Sequence, residues 1–390
     1  MIRRLGRMGV CVVLVSTACT ACGAENGDGN EPEPFRLQAM TYNAGLAPNF
    51  EPFADERAPL VITELASRAQ DLDLLCVQEF WRQEDAESLA TASMQALPHT
   101  LRAEPSPGSG DCSVDELGPV GECLATQCGT FEGVERTACA EAACGAEVTA
   151  LSGGCLGCIL NSLDGSLESC VGDGSAPEDP AIFGGAYDTM LLSRHPFDET
   201  EVKTLDGYLV RTAVLYAKVT LAGLGPVHAF CTHLGSPLGV IPYAGPHGSW
   251  EGEHAAQVAA LSSFIETKAN DSLPVIVLGD LNMGPAAGSS VAVLGDQYDA
   301  LVAARLDNPY ASGRNALCTD CADNAFHATA PDYPDSIIDH VLIRDFPDHY
   351  WTAQRVLDEP VDLGEVSMNL SDHYGVRLVL QSELPSDLPP

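Results

Sequence analysis

From residue 35 onward the chain alternates between two hydrophobic rhythms. Residues 35–46 (FRLQAMTYNAGL) begin with apolar side chains at every second position and read as a strand. Residues 60–70 follow with helical spacing, 73–78 form a short apolar strand and 86–97 a second helix. Further on, 189–193, 213–221 and 227–232 read as strands and 253–268 as a helix. Residues 275–279, 336–343 and 373–381 are strands again. Strands close in sequence, mixed with β–α units, predict a mixed sheet layered by helices.

Between residues 111 and 170 this rhythm stops. Eight cysteines replace it: Cys112, Cys123, Cys128, Cys139, Cys144, Cys155, Cys158 and Cys170. The first six recur with a period of 16 residues, which reads as an internal repeat. Few large apolar residues lie between them, so burial alone cannot hold the segment together. An even cysteine set in an exported chain predicts a disulfide framework, here four bridges on a stapled helical hairpin. A zinc module is the weaker reading, because the segment has no histidine. Cys318 and Cys321 read as a small loop staple, with a partial metal site as the alternative. Cys76 and Cys231, inside predicted strands, read as buried thiols.

The first 22 residues have a different layout. Arg3, Arg4 and Arg7 precede an apolar stretch too short to cross a bilayer, then Ser16-Thr17-Ala18-Cys19. This predicts an export signal, with Cys19 as a lipidation site and Cys22 as its rival. Residues 23–34 (GAENGDGNEPEP) read as a flexible tether. The expected organisation is therefore signal 1–22, linker 23–34 and a catalytic domain 35–384 carrying the insert 111–170. The expected location is the cell envelope, as a lipoprotein, or the outside of the cell.

Charge narrows the partners. Against 19 Lys and Arg stand 55 Asp and Glu, a formal net charge of −36. Removing the three leader arginines takes this from −36 to −39. Nucleic-acid binders normally present basic surface to phosphates, so such a partner is disfavoured here.

The candidate chemistry sits where apolar runs end. Asn43 closes the first strand, Glu79 the second and His233 a later one. Asp280 and Asn282 close VIVLGDLN, Asp339 lies in IIDHVL, and Asp372-His373 precede the last strand. Metal-assisted hydrolysis of a phosphate ester needs oxygen ligands for a hard cation, a carboxylate for the water and imidazoles for developing charge. Strand ends of one packed sheet can bring such groups together.

As a set, TYN, QE, THL, GDLN, IDHV and SDH resemble the endonuclease/exonuclease/phosphatase superfamily over residues 35–381, the insert apart. That family includes pancreatic-type DNases, abasic-site endonucleases, inositol polyphosphate phosphatases and secreted neutral sphingomyelinases. The resemblance implies a four-layer α/β sandwich: two mixed β-sheets face to face, flanked by helices. It implies a divalent metal, Mg²⁺ first and Ca²⁺ or Mn²⁺ as alternatives, held by Glu79 with Asn43 and Asp372. Asp280 would align the water, Asn282 hold a phosphate oxygen, and His233 and His373 stabilise charge, with Asp339 orienting His373. The usual glycines before Leu191-Leu192-Ser193 are missing, and Asp188 there reads as a strand-start cap, with a further metal-proximal carboxylate as the alternative.

The substrate reading leans to phospholipid. Residues 211–219 before THL resemble secreted sphingomyelinases, and the uncharged loop 235–250 carries Tyr243 and Trp250. With Arg211 these are the candidate substrate contacts, and the loop or a lipid anchor could meet a membrane surface. A DNase-type nuclease, with Arg82 and Arg211 on phosphates, and a sugar or inositol phosphatase are the rival enzymes. A non-catalytic surface protein binding an unknown partner through the insert is the non-enzyme alternative. His247, His254, Glu251 and Glu253 read as solvated surface.

Overall fold

The computed structural model describes residues 33–383 apart from 48–49, 105–111, 132, 152–154, 157–158, 160–169, 172–187, 210–211, 239–242, 244, 314–315, 329, 331 and 365. The leader, Cys19, Cys22, most of the tether, Cys158 and Arg211 lie outside the described residues.

The elements run β1 (Arg36–Asn43), α1 (Ala54–Ala69), β2 (Leu74–Gln78), α2 (Gln83–Ser93), β3 (His99–Arg102), α3 (Val114–Cys123) and α4 (Gly133–Thr149). Then come β4 (Met190–Ser193), β5 (Phe197–Leu205), β6 (Thr212–Leu221), β7 (Gly225–His233), α5 (Trp250–Lys268), β8 (Val275–Asp280) and α6 (Gly295–Val302). The last are β9 (Asp339–Arg344), β10 (Tyr350–Val356), β11 (Val361–Asp362), β12 (Ser367–Met368) and β13 (Gly375–Gln381). One sheet has the order β10-β13-β1-β2-β4-β3, the other β5-β6-β7-β8-β9. Each has a parallel pair, β1 with β2 and β7 with β8, among antiparallel neighbours.

Strand periodicity builds the layers. Leu37, Ala39 and Leu74 of the first sheet meet Leu215, Ala229, Ile276 and Leu278 of the second in one buried core. The opposite faces carry the helices. Met40, Tyr42, Leu75 and Val77 pack on Val61 and Leu65 of α1 and Leu89 of α2. Tyr216, Phe230 and Val277 pack on Val258, Leu261 and Phe264 of α5 and Leu301 of α6. The order is helix, sheet, sheet, helix. Each Leu or Phe so buried contributes about 1.5–3 kcal/mol by leaving water. No helix among the described residues is long and apolar enough to cross a membrane.

One sequence expectation is corrected here. Cys76 on β2 and Cys231 on β7 are not free thiols; they form a disulfide through the core, from one sheet to the other. Strand periodicity marks both as buried but cannot show that they face each other. The cysteine spacing in the insert, periodic at 16 residues, is also symmetric about its centre. Cys128–Cys139, Cys123–Cys144 and Cys112–Cys155 are nested, each outer pair displaced equally along both arms. That spacing suits two antiparallel helical arms, α3 with its π-helical extension Leu124–Cys128, and α4. A Ser113–Glu116 capping box starts α3. Leu117, Val120, Leu151 and Leu156 form the insert's own core, which also takes in Leu209, Tyr208, Leu238 and Trp250.

Candidate active site

The ladders place the polar strand ends side by side. His233 of β7 is directly opposite Asp280 of β8, and Asp280 is directly opposite Asp339 of β9. Asn43 ends β1 on the facing sheet and crosses to them: its Nδ2 donates to Asp280 Oδ2 at 2.9 Å and to Glu79 Oε1 at 3.0 Å. Its Oδ1 accepts from Gly45 N–H at 3.0 Å. Gly45 has φ 54°, and a Cβ there would lie 2.7 Å from Asp372 Oδ1, so only glycine lets this turn meet the Asp372 loop.

Two site residues hold left-handed backbone, Glu79 at φ 62° and Asn282 at φ 49°. Such conformations are costly and need fixing from outside. Glu79 N–H donates to Asp188 Oδ2 at 3.1 Å. Asn282 N–H donates to Asp280 Oδ1 at 2.8 Å, and its Nδ2 to the Leu234 carbonyl at 2.8 Å. The same Nδ2 lies 3.2 Å from His233 Nε2.

Each imidazole has a carboxylate behind it. His373 Nδ1 is 2.9 Å from Asp339 Oδ2. His233 Nδ1 is 2.5 Å from Asp188 Oδ2. Asp188 is therefore no mere strand cap: one carboxylate holds both the His233 ring and the Glu79 backbone. Burial opposes charge on both rings, yet carboxylates win. Asp188, then Asp280 and Glu79, push His233 up to about 10, and Asp339, Asp372 and Asp280 push His373 well above the ordinary range. Asp188 stays below the usual carboxylate range despite its burial, because His233 faces it.

On the other side of Asn43 carboxylates crowd together. Burial and then Asp372 raise Glu79. Glu51, which the sequence did not single out, is pushed up to about 9 by burial, then by Asp372 and Glu79. Arg57, also missed, is fully buried behind them and donates to the carbonyls of Pro52, Ala44, Leu370 and Gly45. It ties together the loops that carry Asn43 and Asp372. Nothing in α1's apolar stripe distinguishes Arg57 from a solvated arginine.

This donor set fits a hard divalent cation. It is made of oxygens, its carboxylates disfavour one another's charge, and a cation among them would relieve both repulsion and burial. Asp280, Asp339 and His373 also lie at ligand spacing. There, however, His373 Nδ1 already faces Asp339, whereas Asp339 Oδ1 is buried without a hydrogen-bond partner.

The remaining sequence candidates form a separate cluster. Tyr243 and Trp250 pack edge-on, 5.0 Å apart, and both contact Tyr208. The Tyr243 hydroxyl donates to Glu253 at 3.0 Å. Glu253 and His254, expected at the surface, are buried; His254 Nε2 meets the Leu281 carbonyl at 2.9 Å. Arg82 is paired with Asp55.

Fold and site together define a metal-dependent hydrolase of phosphate esters. Residues 40–373 match the Endonuclease/Exonuclease/phosphatase family, and the chain belongs to it. Among solved structures it is similar to SmcL, with 14% identity and a TM-score of 0.53 over 88% of this chain and 98% of that one. It is similar to beta toxin from Staphylococcus aureus, with 15% identity and a TM-score of 0.53 over 88% of this chain and 99% of that one. A double mutant of that toxin with bound magnesium ions has 13% identity and a TM-score of 0.52 over 88% and 99%. No curated protein sequence matches the chain significantly.

Proposed function

We propose that this protein is an exported Mg²⁺-dependent phosphodiesterase acting on phospholipid, as a sphingomyelin-cleaving phospholipase C does. The observation that carries the hydrolytic reading is the convergence of Asn43, Glu79, Asp280, Asn282 and two carboxylate-held imidazoles on one edge of the sandwich. Glu79, with Asp372 and Asn43, would hold the cation, which when bound polarises a phosphoryl oxygen. Asp280, fixed by Asn43 and the Asn282 backbone, aligns the attacking water and takes its proton. Asn282 donates to a phosphoryl oxygen. The water oxygen bonds to phosphorus as the ester oxygen leaves. His233 and His373, protonated against Asp188 and Asp339, neutralise the charge that develops and supply the proton the leaving oxygen needs.

The lean to lipid rests on the stretch 211–219 and the loop with Tyr243 and Trp250, and charge argues against nucleic acid. At −36 the chain repels a polyanion. Arg57 is engaged by backbone carbonyls and Arg82 by Asp55, which leaves neither for a nucleic-acid backbone. Export is supported by the leader and by disulfides that persist in oxidising compartments. Sphingomyelin vesicles and plasmid DNA, assayed side by side with Mg²⁺ and then with EDTA, test the reading. Metal-dependent phosphocholine release is expected, and DNA nicking in its place would make the protein a nuclease.

A further inference from the structure

His327 is backed by a carboxylate as His233 and His373 are, though through its other ring nitrogen. His327 Nε2 lies 3.0 Å from Asp320 Oδ1, and its ring stacks on Tyr333 with centroids 3.6 Å apart and planes within 10°. Asp320 is held in turn by the Tyr333 hydroxyl at 2.9 Å and the Ser336 hydroxyl at 3.1 Å. This group is joined to the active site. The Asp320 backbone bridges to His373. Asn324, at the start of the short turn Ala325–His327, donates to the carbonyls of Ser371 and Asp372, both at 3.0 Å. Phe326 of that turn covers the Arg57 guanidinium at 4.8 Å.

Two buried histidines look different, whereas His195, on Asp73 Oδ1 at 3.0 Å, shares the pairing of His327 but sits at the opposite end of β2 from Glu79. His340 is fully buried and uses both ring nitrogens, Nε2 on the Met283 carbonyl and Nδ1 on Asn308. His228 likewise places Nδ1 on Tyr216 and Nε2 on Asp271. The His327 side chain keeps 14% exposure, and Nδ1 has no hydrogen-bond partner among the described residues. Asp320 orients the ring, Tyr333 holds its plane, and one nitrogen remains for something else.

We propose that His327 is a further substrate-contacting residue, meeting an anionic phosphoryl oxygen from the Asp372–His373 side of the cleft. The inference rests on the phosphodiesterase reading but can fail separately from it. The test titrates inorganic phosphate into the Mg²⁺-loaded protein and follows the imidazole resonances by NMR, with His327→Gln and His327→Ala beside the wild type. The His327 signal should shift, and both variants should bind phosphate about tenfold more weakly, the loss of one charge-assisted hydrogen bond. Mg²⁺ affinity and melting temperature should stay unchanged. An unmoved His327 resonance, unaltered phosphate binding in His327→Gln, or wild-type protein that binds no phosphate would overturn it. So would a weaker binding fully explained by lost Mg²⁺ affinity or stability, which would make the residue structural. Turnover of phosphodiester by the wild type, measured in parallel, reports on the underlying reading alone.

Discussion

At the scale of single residues, the site is a set of carboxylates divided between two tasks. Glu79 and Asp372 face each other with too much negative charge, while Asp188 and Asp339 each face an imidazole. Removing the charge at Glu79 should therefore act on the cation first. Glu79→Gln is expected to weaken Mg²⁺ binding, read by calorimetry, by more than about 100-fold, beyond the loss of an outer partner. Asp188→Asn acts on His233. The wild-type ring binds its proton more tightly folded than unfolded, so its stabilising contribution is complete below about pH 6.5. That contribution is lost as pH rises through about 10. In Asp188→Asn the NMR titration midpoint of His233 should fall toward the ordinary value; an unchanged midpoint would remove Asp188 from this role. Asn43, Glu79, His233 and Asp280 are legible in the sequence because each ends an apolar run. Asp188 is visible only as a polar residue before an apolar run, and Glu51 and Arg57 are not marked by any local pattern.

At the scale of elements, the long periodic segments are the legible ones, and the exposed or interrupted ones are not. β5 buries only Leu205 in its nine residues and offers no apolar run to see. α1 starts at Ala54 rather than near 60, and Pro59 lies inside it, where it removes one backbone donor without ending the helix. The cysteine pairs are the clearest case of information absent from local sequence. Cys76 and Cys231 are 155 residues apart, and only the packing of β2 over β7 joins them. A closed loop of that length constrains the unfolded chain strongly. Replacing both by alanine should lower stability by about 2–5 kcal/mol in guanidinium unfolding. A loss below about 1 kcal/mol would contradict a stabilising role for this bridge.

At the scale of the whole molecule, two half-sandwiches bring their strand ends to one edge, and the cysteine-stapled arms pack on that body through Tyr208, Leu209 and Trp250. The acidity of −36 shapes what can approach that edge. On the proposed reading, a bound cation and the protonated imidazoles would draw a phosphate ester in. The measurement that tests this most directly is turnover of a phosphodiester by the purified protein with Mg²⁺, with EDTA, and in His233→Ala. Hydrolysis should require the metal, and His233→Ala should lose about 100- to 10,000-fold in rate while still binding Mg²⁺. Hydrolysis that persists in EDTA, or that His233→Ala leaves intact, would contradict the account.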